Sequence, residues 1–103
     1  MNLSNYDIAI IEAALKEFIF SEYEDIPKNE KVKLNDIALQ SINKFKNGES
    51  DFNASHLSAI ALSLNEFICY IEESTMPNDS DSKKYLNRAN FLYNYFDKIL
   101  DTI

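Results

Sequence analysis

Residues 4–20, SNYDIAIIEAALKEFIF, and residues 53–69, NASHLSAIALSLNEFIC, superimpose at an offset of 49 residues. Ile11, Leu15, Glu17, Phe18 and Ile19 of the first stretch fall on Ile60, Leu64, Glu66, Phe67 and Ile68 of the second as identities. In both, apolar residues recur at alternating intervals of three and four, which places them along one stripe of an α-helix. Forty-nine residues are seven whole heptads, so the stripe keeps its phase from one copy to the next. Each stretch opens on a residue suited to capping a helix. Ser4 can accept from the amide of Asp7 while Asp7 reaches back, a variant of the capping box. Leu3 precedes the first cap and Phe52 the second, each in the place of a hydrophobic staple.

Working outward, two further helical segments complete the chain. The first helix is expected to end near Glu24. The second runs from about Lys28 to Lys46 with Leu34, Ile37, Ala38, Ile42 and Phe45 inward. Pro27 opens it, and Asn47-Gly48 closes it as a left-handed stop. The third carries Leu57, Ile60, Leu64, Phe67 and Ile71 and stops before Met76-Pro77. The fourth starts near Asp79 or Ser80 and repeats Leu86, Ala89, Tyr93, Phe96, Leu100 and Ile103 to the end of the chain. Helices two and four match more weakly, through Leu34-Asn35 and Leu86-Asn87. The expected fold is all-α, an up-down-up-down four-helix bundle of two similar helical hairpins, residues 1–47 and 48–103 of a single domain.

Composition agrees with helices. The sequence holds one Gly and two Pro in 103 residues, too few for the many turns of an all-β fold. A hydrophobic fraction of 46% is enough for one core. Ten basic residues against seventeen acidic ones give a net charge of −7, which repels nucleic acid and anionic lipid. No signal-peptide pattern is present, and the apolar runs fall short of a bilayer span, so the expected location is the cytoplasm. Abundant Asn, Ile and Lys with Arg88 as the sole arginine resemble AT-rich bacterial or phage coding.

The residues for catalysis are scarce. His56 and Cys69 are the only histidine and the only cysteine. Thirteen residues apart on one helix, they stand roughly 20 Å from each other and cannot share a metal. No Glu-x-x-His pair of the di-iron bundle type occurs, and Asp79-Ser80-Asp81 lacks the rest of a calcium loop. His56 reads as a residue of the helix-three cap, and Cys69 as a partly buried structural thiol. One glycine cannot build a phosphate cradle. The acids are expected outside the apolar stripes. Neither catalysis nor a metal or other cofactor is expected.

Two features exceed the needs of a plain bundle. The loops after helices one and three are expected at the same end, collecting Glu22, Tyr23, Glu24 and Asp25 from one hairpin and Glu72, Glu73, Asp79 and Asp81 from the other. Negative charge near a helix C-terminus costs about 0.3–1 kcal/mol per residue. Its recurrence there reads either as a solvated face, with Lys28, Lys31, Lys33, Lys83, Lys84 and Arg88 neutralising nearby acids, or as a surface for a partner protein with a basic face. On helix four, Tyr85, Phe91 and Tyr95 lie off the seam with Leu92 and Ile99; they are expected either to be buried under the loops or against helix one, or, as exposed aromatics, to anchor a self-association or partner interface.

The expected function is that of a small acidic interaction protein that modulates or inhibits another protein, of the antitoxin, immunity or phage-regulator type. The chain is similar to bacteriocin immunity proteins in size and helical class, with none of their residues to carry over. The alternatives are a self-associating structural protein, a homodimer through helix four, a nucleic-acid mimic, or a small-molecule pocket between the hairpins.

Overall fold

The computed structural model describes residues 3–73 and 80–102. It contains four helices, α1 (Asn5–Phe20), α2 (Lys28–Lys46), α3 (Ala54–Glu73) and α4 (Ser80–Asp101), and no strand among the described residues. They form a four-helix bundle of two similar hairpins, as the periodicity predicts.

The stops and starts follow from local chemistry. The α1 capping box is complete: Ser4 Oγ accepts from the Asp7 amide and Asp7 Oδ2 from the Ser4 amide, each at 3.1 Å. The α3 start has the same form, with the Asn53 side chain accepting from the His56 amide at 2.9 Å and the His56 ring from the Asn53 amide at 3.3 Å. At the end of α2, Gly48 takes φ +70°, a conformation that costs side-chain-bearing residues energy. The amide of Glu49 then returns to the carbonyl of Lys44 at 2.9 Å and that of Gly48 to Phe45 at 3.2 Å, both bonds of a Schellman motif. α1 ends at Phe20, four residues before the expected Glu24, because Ser21 turns to an extended conformation while its amide still closes on Glu17.

The hairpins meet through α1 and α3. These two helices pack on each other and each touches all three others, whereas α2 and α4 lie on opposite flanks and do not meet among the described residues. Contacts of α1 with α2 answer those of α3 with α4, and α1 with α4 answers α3 with α2, the pattern left by a two-fold exchange of hairpins. Extents of 36 × 34 × 26 Å show two nearly equal long directions, as when helices of this length cross rather than share one axis.

The aligned residues Ile11, Leu15, Ile60 and Leu64 are all fully buried. Each contributes about 1.5–3 kcal/mol by leaving water. α4 is rotated from its expected seam: Ala89, Leu92 and Phe96 are fully buried, while Tyr93 and Leu100 are only half-buried. Ile103 lies outside the described residues.

α3 has the length and composition to span a bilayer, with a mean hydropathy of 1.2 over its most apolar window. Half of that window is buried against the other helices, the behaviour of a core helix.

Candidate functional site

The early end of α1 creates the largest cleft described. With Ser21 extended, the last carbonyls of α1 lack partners within their own helix, and its last turn contains no basic residue. Lys31 of α2 supplies both deficits. Its Nζ donates to the Phe18 carbonyl at 2.8 Å, to that of Ile19 at 3.4 Å and to Asn35 Oδ1 at 2.7 Å. The ammonium also lies 4.5 Å from the Phe18 ring centroid and 5.7 Å from that of Tyr23. Burial pulls the Lys31 pKa below its ordinary value, and Glu22 opposes that shift. Tyr23 folds back to stack on Phe18, centroids 5.3 Å apart, and its burial raises the phenol pKa.

This arrangement leaves an open groove of about 830 Å³. Ile19, Phe20, Ile26 and Val32 line it, with Glu22, Glu24, Lys28 and the capping Lys31 as charged members. Phe20 is 84% exposed and Val32 62%, unusual for apolar residues of their size. Asp25 is exposed in the same connection. Of the expected acidic surface, the structure therefore brings Glu22, Tyr23 and Glu24 together around an apolar floor, with Tyr23 serving as a wall.

The other expected residues lie elsewhere. Glu72 and Glu73 are exposed on the last turn of α3. Asp81 lines a separate cleft of about 340 Å³ with Tyr6, Lys84 and Tyr85. Asp79 lies outside the described residues. Two of the three off-seam aromatics pack inward. Tyr85 makes edge contacts with Tyr6 and Phe67, each with centroids 6.2 Å apart, and Tyr95 sets its edge on Phe96 at 5.3 Å. Phe91 stays 53% exposed, and the Arg88 guanidinium lies 4.4 Å from its centroid.

Two residues depart from their sequence-based reading, and a third stands outside it. Asp7 was expected outside the apolar stripe, yet it is 1% exposed and paired with Arg88. Arg88 Nε donates to Oδ1 at 2.6 Å and Nη2 to Oδ2 at 2.8 Å, a two-pronged bond. Hydrogen bonding to Arg88 holds the carboxyl at about 2, against the desolvation that would raise it. Cys69 is exposed rather than partly buried, because it stands two residues beyond Phe67 and so on the opposite face of α3. Phe20, which the seam does not mark, is exposed for the same geometric reason. It lies two residues, about 200°, beyond the seam residue Phe18, and that spacing was the available signal.

His56 does belong to the α3 cap, and it is buried. Its Nδ1 accepts from Asn53, so Nε2 carries the proton and donates to Gln40 Oε1 at 3.1 Å. No three His, Cys, Asp or Glu side chains gather as metal ligands among the described residues. No family model matches the chain, and no curated protein or solved structure matches it.

Proposed function

We propose that this chain is a cytoplasmic protein-binding domain without catalysis, and that the groove after α1 is its binding face. The observation that carries the reading is Phe20, a large aromatic 84% exposed on the wall of a cleft whose mouth bears Glu22 and Glu24. An exposed aromatic beside an apolar floor is the usual anchor of a protein interface, and acids around it favour a basic partner and repel an acidic one. Among the described residues, Lys28 is the one cation on that wall not engaged in capping α1. The occupant that fits is an amphipathic segment, apolar toward Phe20 and Val32 and flanked by Lys or Arg. Such a role is that of a modulator or inhibitor of a second protein, as in antitoxins, immunity proteins and phage regulators.

The test compares variants of the full chain as bait in lysate of a low-GC bacterium, with bound proteins identified by mass spectrometry. A partner retained by the wild type should bind Phe20→Asp at least tenfold more weakly. Glu22→Lys with Glu24→Lys should weaken it chiefly at low salt. Glu72→Lys with Glu73→Lys should leave it unchanged. A partner held equally by Phe20→Asp would sink the groove. A wild-type chain that captures nothing, and dimerises in light scattering only while Phe20 is intact, would replace the reading with self-association.

A further inference from the structure

A second cleft, of about 670 Å³, opens between the start of α1 and the first half of α4. It is independent of the groove above, and its charged lining is mainly cationic. In a chain of net −7, it gathers Lys83, Lys84 and Arg88 on one wall. Asp7 also faces it, but that carboxylate is 1% exposed, with both oxygens engaged by Arg88. Asp7 thus offsets one charge and fixes the guanidinium in place. The Arg88 side chain remains 39% exposed, leaving its outer edge open to a ligand.

Two aromatic rings line the same cleft. Tyr6 is 44% exposed and Phe91 53%. Because the Arg88 guanidinium stacks 4.4 Å from the Phe91 centroid, ring and cation form a joint platform held by Asp7. A volume within the usual range of small-molecule sites, convergent cations and a flat aromatic surface specify a ligand with both an anionic head and a planar ring. A protein helix would present no such compact double charge, and inorganic phosphate would leave the rings unused.

We propose that this cleft binds a nucleoside monophosphate, with the phosphate among Lys83, Lys84 and Arg88 and the base against Phe91 and Tyr6. The probe is AMP, followed through backbone amide shifts of the full-length chain, with adenosine and inorganic phosphate as separate arms. Saturable shifts confined to the start of α1 and residues 80–91 are expected, with a Kd near or below about 1 mM. Each fragment alone should bind at least tenfold more weakly than AMP. Lys83 and Lys84 are exposed, so K83A/K84A should leave the melting temperature unmoved while weakening AMP about tenfold or more. Phe91→Ala should weaken AMP without changing the response to phosphate. The proposal is overturned by a failure to saturate at about 10 mM AMP. It is equally overturned by unaltered binding in K83A/K84A or by phosphate binding as well as AMP.

Discussion

The starts of α1 and α3 are the same backbone device built from different chemistry. Ser4 and Asp7 cap one helix, and Asn53 and His56, at the same offset of 49 residues, cap the other. In both, the third residue of the helix points inward, is buried, and reaches the flanking helix of the opposite hairpin. Asp7 reaches Arg88 on α4, and His56 reaches Gln40 on α2. Each cap therefore also joins the hairpins. The first corner does so with an ion pair and the second with a neutral hydrogen bond, so their failure should differ in size and in pH.

The largest effect is expected at the charged corner. Replacing Arg88 by Met leaves Asp7 buried without its counter-ion, the costly half of a broken pair. The melting temperature should fall by about 10 °C in circular dichroism, moderated by water reaching the Arg88 site. Gln40→Met at the neutral corner should cost far less. Combining Arg88→Met with Asp7→Leu should restore most of the loss, since removing both charges is less costly than stranding one. Equal losses from Arg88→Met and Gln40→Met would end the distinction between the corners.

The same alignment pairs Ala14 with Ser63, both fully buried. Ser63 Oγ finds no hydrogen-bond partner among the described residues, so the second hairpin carries a buried hydroxyl where the first has a methyl group. Ala14→Ser should destabilise by about 1–3 kcal/mol, measured by urea unfolding at unchanged m-value. Ser63→Ala should stabilise by about 1 kcal/mol. A destabilised Ser63→Ala would mean that the hydroxyl is satisfied. The caps themselves should be closer in worth: Ser4→Ala and Asn53→Ala are each expected to cost about 1 kcal/mol.

How much of this was legible in sequence depends on separation along the chain. Periodicity and caps are local, so the four helices, the Ser4 box and the Gly48 stop follow from residues a few positions apart. The Asp7–Arg88 pair spans 81 positions, and no periodicity within either helix connects them. The rotation of α4 that buries Leu92 is likewise set by α1 and α3, since its heptad spacing admits either Leu92 or Tyr93. At the groove, the acids were legible as charge. Their apolar setting was not, because it depends on Ser21 ending α1 early, on Lys31 reaching the freed carbonyls and on Tyr23 folding back over Phe18. Those contacts join one helix to another or to a loop rather than residues of one helix.

The smallest effect separates the corners by pH. Burial, reinforced by Lys44 and opposed by Asp51, lowers the pKa of His56 below 6.5. The unfolded chain therefore takes up this proton first as pH falls. Stability from the His56 corner is complete above about pH 6.5 and drains away as pH drops through the folded-state value. Asp7 is depressed from 3.8 to about 2, so its contribution persists to about pH 4 and is lost only on approach to pH 2. Between pH 7 and 5 the wild type should lose a few degrees of melting temperature that His56→Gln retains. Below pH 4 the two should fall together, because the Asp7 corner is intact in both. A His56→Gln profile parallel to wild type from pH 7 to 5 would show that the neutral corner does not titrate, leaving the Asp7–Arg88 corner as the acid-sensitive one of the two.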